Sequence, residues 1–177
     1  STIAFSNNGY FLEGYGIPST LTVAANRVFP SAGWTYDKQS GELSMSVGTR
    51  THYLTFRDGT FCTVSNHSDA ISISLFEKIP ASGYPTEAEY VYIPADTFEE
   101  GKEYLLVQFQ SKSSNNREAL SHSADQSAHE TVTIYADDVY GEYIADCANY
   151  ENAVWSTSTA KADGFKIANK YYFAQAN

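Results

Sequence analysis

The sequence predicts an all-β protein, and three observations carry that prediction. Short segments that alternate apolar and polar residues recur throughout: "TLTV", "ELSMSV", "HYLTF", "FCTVS" and "AISISLF" in the first half, "EYLLVQF", "TVTIY", "GFKIA" and "YYFAQ" in the second. A period of two places alternate side chains on one face of a strand. The segments are rich in β-branched and aromatic residues and are bounded by Gly, Asn, Asp and Ser, the residues of tight turns. No window of about twelve residues sustains a helical period. The best helical candidate, Arg117 to His122 within "SNNREALSHSADQSAHE", would make at most about two turns.

In chain order the strand-like phrases are "GYFLEG" from Gly9, "TLTVAANRVF" from Thr20, "GWTYDKQSGELSMS" from Gly33 and "HYLTF" ending at Phe56. The same order then returns as "EYLLVQ" from Glu103, "TVTIYADDVY" from Thr131, "VWSTSTAKADGFKI" from Val154 and "YYFAQ" from Tyr171. The match sets Trp34 beside Trp155 and Phe29 beside Tyr140. Phrases repeated in one order predict an internal duplication. The expected architecture is two similar β-lobes, sandwich- or trefoil-like, at residues 1–79 and 97–177. Residues 80–96 between them hold Pro80, Pro85 and Pro94. Proline cannot donate to a strand ladder, so this stretch is expected to be a connection laid over the surface. Two lobes that bury a face against each other would leave a cleft along their seam.

Composition narrows the function. A chain of 177 residues can bury a substantial core. No apolar run approaches the ~20 residues that span a bilayer, so a soluble chain without membrane insertion is expected. The formal charge of -10, from 21 acids against 11 bases, argues against nucleic acid, whose phosphates call for Lys and Arg. Cys62 and Cys147 are too few for a disulfide scaffold or a zinc module; a staple between the halves and two separate buried thiols both remain open. Beginning at Ser1, the chain reads as a trimmed segment of a longer protein that carries other domains.

Catalytic patterns are missing from the sequence. It contains no Gly-rich phosphate cradle, no His-Glu-x-x-His and no Cys-x-x-Cys. His52, His67, His122 and His129 are scattered, with the last two in a polar stretch. Glu99-Glu100 and Asp137-Asp138 are adjacent pairs that point apart, whereas glycoside hydrolysis needs two carboxylates facing each other across a sugar. The acids of "YADDVYGE" could ligate calcium, but Asn26 and Arg27 replace them in the first half. The expectation is a noncatalytic protein with no cofactor and no metal.

Aromatic residues make up 15 %, with fourteen Tyr, ten Phe and two Trp. Tyr joins an apolar face to a polar tip, which suits wet binding surfaces. Sugar C–H faces stack on such rings while hydroxyls take hydrogen bonds, and a neutral glycan imposes no penalty on an acidic protein. Tyr10, Phe11, Leu12, Tyr53, Tyr104, Leu105 and Tyr172 fall in regular strands and are expected in the core. The off-pattern aromatics are ligand candidates. Tyr15 sits between glycines, Phe29 precedes Pro30, Tyr140 precedes Gly141, and Tyr84 lies between Gly83 and Pro85. Tyr143 and Tyr150 belong to an extra segment of the second half. Trp34 and Trp155 are read as core or platform, and Arg27, Arg117 and Asp138 as polar partners.

Tyr10-Phe11-Leu12, Trp34, Gly41-Glu42-Leu43 and Tyr53-Leu54, with Tyr104-Leu105-Leu106, Trp155, Gly164-Phe165 and Tyr172-Phe173, form a tandem pattern. That pattern resembles the noncatalytic starch-binding domains of surface starch-adherence proteins from Gram-positive gut bacteria. The resemblance implies an extracellular or cell-surface location and a two-lobed carbohydrate-binding module. It implies a polysaccharide partner, an α-1,4-glucan such as starch or a maltooligosaccharide, held in a groove. It pins no single binding residue. On the residues alone the alternative is an adhesin or scaffold domain of a bacterial surface protein that meets a protein partner through edge strands or a Tyr-rich face.

Overall fold

The computed structural model describes residues 3–7, 10–15, 20–25, 33–47, 49–109, 117–121, 131–159, 165–167 and 170–172, and these are mostly antiparallel β-sheet with almost no helix. The first half supplies β1 (Ile3–Asn7), β2 (Tyr10–Tyr15), β3 (Thr20–Ala25), β4 (Trp34–Asp37), β5 (Glu42–Val47), β6 (Arg50–Arg57) and β7 (Thr60–Val64). Next come β8 (Ser74–Pro80), β9 (Tyr90–Ala95), β10 (Glu103–Phe109), β11 (Arg117–Leu120) and β12 (Thr131–Ile134). The chain continues through β13 (Val139–Tyr140), β14 (Tyr143–Ala145) and β15 (Val154–Thr159) to a separate pair, β16 (Phe165–Ile167) and β17 (Lys170–Tyr172). Among the described residues one sheet runs β13-β14-β9-β8-β10-β15-β1-β4-β5-β6-β7, with β2–β3 branching from β1 and β11–β12 from β10.

The two branch points share a register. β1 gives one edge to β15; its other edge faces Trp34 of β4 opposite Ile3, then passes to β2 at Ser6. β10 gives one edge to β8; its other edge faces Trp155 of β15 opposite Tyr104, then passes to β11 at Val107. In both places the indole donates to a leucine carbonyl on the branching strand. Trp34 Nε1 meets the Leu12 oxygen at 3.1 Å and Trp155 Nε1 meets the Leu120 oxygen at 2.9 Å. A buried N–H must find an acceptor, and a strand that splays from the ladder leaves a carbonyl within reach. This register sets β1 against β10 and β2 against β11. "GYFLEG" in β2 and "EYLLVQ" in β10, matched in the sequence, do not hold equivalent places in this register, because alternation cannot tell one strand from its neighbour.

The two halves share a core. One core cluster gathers Phe5, Leu12, Trp34 and Leu43 from the first half together with Leu75, Leu106, Leu120 and Trp155 from further along the chain. The alternate residues Phe76, Leu105, Val107, Ala119 and Val154 belong to a second cluster, with Tyr92, Ile134, Ile144 and Tyr150. Strands β8, β10, β11 and β15 are thus buried on both faces, which is why "EYLLV" reads as a continuous apolar run. Ile3 to Ser6 of β1 pairs with Thr159 to Ser156 of β15, so the expected seam is a hydrogen-bonded ladder and not a cleft. Phe98 packs edge-on against Phe5, Tyr36 and Tyr104, with ring centroids 4.8, 5.5 and 4.9 Å away, and ties the segment after β9 to both halves.

Three local expectations change. Residues 80–96 are not a bare connection, because β9 pairs with β8 along its length, with Pro94 opposite Phe76. β14 covers only Val91 and Tyr92, so Pro94 stands where β9 has a single partner, the position a proline tolerates. The helical candidate at Arg117 is instead strand β11; pairing with β10 and β12 and the burial of Ala119 and Leu120 override a weak local propensity. Tyr53 is half-buried against the His67 ring and does not belong to the core, while Leu12, Tyr104 and Leu105 are fully buried. The side chains of Tyr10, Phe11 and Tyr172 lie outside the described residues. Cys62, half-buried, and Cys147, exposed, are both free thiols.

Both indoles are wholly buried and each supplies one hydrogen bond. Trp155→Phe and Trp34→Phe should each cost about 2–3 kcal/mol in urea unfolding, combining lost volume with an orphaned carbonyl. A loss under about 1 kcal/mol in both would show that the indole bonds contribute little to the fold.

Candidate functional site

The β13–β14 hairpin is written "VYGEYIA". Its loop is Gly141-Glu142, and Gly141 has φ +59°, the positive value that a two-residue type II′ turn needs at its first position. The turn sets Tyr140 directly opposite Tyr143. Their rings stack, 5.5 Å apart with planes at 14°. β14 pairs with β9 through Ile144–Tyr92 and Ala145–Val91, which carries the hairpin to the β8–β9 connection. That connection is pinned by backbone bonds from Ala81 to Glu89, Tyr84 to Ala81 and Thr86 to Tyr84, each 2.9 Å. Tyr84 is held there edge-on to Tyr143, at 4.9 Å and 63°.

The three rings form a short tyrosine wall. Tyr140 is 46 % exposed, while Tyr84 and Tyr143 are half-buried. Beside them a cavity of about 550 Å³ is lined by Tyr84, Ile93, Pro94, Glu142 and Tyr143. That volume lies in the range of ~300–1,000 Å³ usual for ligand sites. Apolar ring faces, the aliphatic side chains of Ile93 and Pro94 and an exposed carboxylate make a surface that can stack a flat apolar face and accept hydrogen bonds at its margin. Among the described residues, no group of three or more His, Cys, Asp or Glu is placed to hold a metal ion. No helix among them is long and apolar enough to cross a membrane.

The other candidates are not at this wall. Trp34 and Trp155 are core, which removes both as platforms. Tyr150 is 1 % exposed: its hydroxyl accepts from the Tyr135 N–H at 3.3 Å and donates to Asp138 Oδ2, and its own N–H donates to Asp146 Oδ1 at 2.7 Å. It braces the hairpin from beneath, and Asp138 is engaged as its partner instead of facing a ligand. Arg117 is half-buried with its guanidinium 5.6 Å from the centre of the Phe76 ring, a packing role. Tyr15 is described only as backbone, paired with Thr20, and Arg27 and Phe29 lie outside the described residues, as do His122 and His129. Sequence reasoning missed Ile93, Pro94 and Glu142. Glu142 was legible as the second loop residue of "YGEY"; the other two reach the site only through strand pairing.

Comparison with protein-family models, curated proteins and solved structures gave no match.

Burial, together with the hydrogen bond to Asp138, pushes the Tyr150 phenol well above its ordinary value near 10. Burial does the same to Tyr92, its edge-on neighbour at 6.4 Å. The folded state therefore holds these protons more tightly than the unfolded chain, so the stability these two groups contribute is fully present below pH 10 and declines as pH rises beyond it. Urea midpoints measured from about pH 8 to about pH 11.5 should be level at first and then fall, and Tyr150→Phe should make the fall shallower. An equally steep fall in the variant would assign the alkaline sensitivity elsewhere.

Proposed function

We propose that this chain is a noncatalytic carbohydrate-binding module that takes a neutral polysaccharide at the Tyr84–Tyr140–Tyr143 wall. An α-1,4-glucan is the chain implied by the resemblance of its sequence pattern. The observation that carries the reading is that three tyrosines, from the β8–β9 connection and the β13–β14 hairpin, converge beside one cavity, with Tyr140 left open. Rings held by strand pairing lose little freedom when a sugar stacks on them. Glu142 stands where a carboxylate can accept from sugar hydroxyls. An acidic protein of charge -10 loses nothing by taking an uncharged ligand. An extracellular or cell-surface setting, beside other domains of a longer protein, goes with this reading. The binding place differs from the one expected at a seam between lobes.

A second proposal concerns the scaffold: it arose by internal duplication of a four-strand unit. The shared register of β1-β2-β3-β4 and β10-β11-β12-β15, and the repeated indole-to-leucine bond, support it. The copies have merged into a common sheet.

Affinity electrophoresis tests the functional reading. Migration should be retarded in amylopectin gels, and Tyr140→Ala should weaken retention about tenfold, which is ~1.4 kcal/mol. Unretarded migration in every glucan gel, with the protein folded, would remove the reading and leave the protein-contact alternative for the tyrosine face.

A further inference from the structure

Pro94 lines a second cavity as well as the tyrosine site. This one, about 270 Å³, is walled by Tyr36, Lys38, Gln39, Ser72 and Ala95 among others. It falls just short of the ~300 Å³ at which ligand sites usually begin, so it fits an extension of its neighbour better than a site of its own. Its walls are fixed. Tyr36 donates its hydroxyl to the Ile73 carbonyl at 3.1 Å, and the Ile73 N–H donates to the Gly41 carbonyl at 2.8 Å. The Gly41 N–H closes the β4–β5 turn onto the Asp37 carbonyl at 2.7 Å. Gly41 has φ +75°, and a Cβ there would collide with Ser72 Oγ, so the turn and the segment leading into β8 meet without slack.

The chemistry of the two cavities differs. The first offers ring faces. In the second, Tyr36 has its hydroxyl committed to Ile73, burial raises the pKa of that phenol, and Phe76 is the other ring; the remaining polar side chains are the Lys38 ammonium, the Gln39 amide and the hydroxyls of Ser40, Ser72 and Ser74. Such groups give to and take from hydroxyls without demanding charge on the ligand. We infer that the tyrosine wall and this hydroxyl-reading cavity are consecutive subsites for one linear glycan that crosses Pro94, so that the protein selects chains over short sugars. The inference rests on the glycan reading above and adds ligand length to it.

Titration calorimetry of the whole chain with maltotriose and with maltoheptaose tests it. The heptaose should bind about tenfold more tightly, since engaging the second subsite becomes intramolecular once the first is filled. Lys38 and Gln39 are both exposed in the β4–β5 turn, and in the variant combining Lys38→Ala with Gln39→Ala the heptaose-to-triose ratio should fall toward one. Tyr140→Ala should weaken both sugars together. Equal affinities in the parent protein, or a ratio that survives in the double variant, overturn the second subsite and leave the tyrosine site standing. Failure of both sugars to bind overturns the site and its extension together.

Discussion

The ladder between β1 and β15 is the constraint from which the architecture follows. It joins the beginning of the described chain to a strand more than a hundred residues later, with Ile3 opposite Thr159 and Ser6 opposite Ser156. That pairing gives one edge of β1 and one edge of β15 to each other, and the core cluster above it draws on both halves. Trp34 and Trp155, far apart in sequence, come to lie in one apolar cluster. β8, β10 and β15 acquire neighbours on both faces, and the second cluster builds on the face the first does not use. Thr157 reinforces the junction: its hydroxyl donates to the carbonyl oxygens of Glu99 and Lys102, at 2.6 and 3.0 Å, holding the segment that carries Phe98 over the joint.

The tyrosine wall depends on the second cluster. Tyr92, which pairs with Ile144 in the β9–β14 ladder, and Tyr150 are both buried in that cluster with Ile144 of the hairpin. Tyr84, Tyr140 and Tyr143 use the same residue type on the outer side, where a polar tip and an apolar face are both useful. A small β-domain has little room for a deep pocket. It can offer a rigid row of rings instead, because strand pairing has already met the entropic cost of holding them.

How far the site could be read from the sequence is clear residue by residue. Tyr84 and Tyr140 stand beside Gly or Pro in turn phrases, and Tyr143 is two residues past Gly141; turn chemistry alone moves such rings out of regular strands. Tyr150 carries no comparable mark; its ring belongs to the second apolar cluster, and its hydroxyl is bonded to Asp138 and the Tyr135 N–H. The tryptophans show the same limit. Their recurrence before similar turns marked them as important, but a core anchor and a binding platform leave the same trace in a single sequence. Pro94 misled because a proline excludes only a strand interior with partners on both sides, and β9 has one there.

Local chemistry settled what each segment could become. Alternation and β-branching made strands, and "YGEY" made a two-residue hairpin. Which strands became neighbours was settled only in three dimensions. A strand with the right alternation can pair with any other, and the choice goes to the arrangement that buries both faces of β10 and satisfies both indoles. Only that choice carried Tyr84 to Tyr143, and with it a cavity that no contiguous stretch of the chain contains.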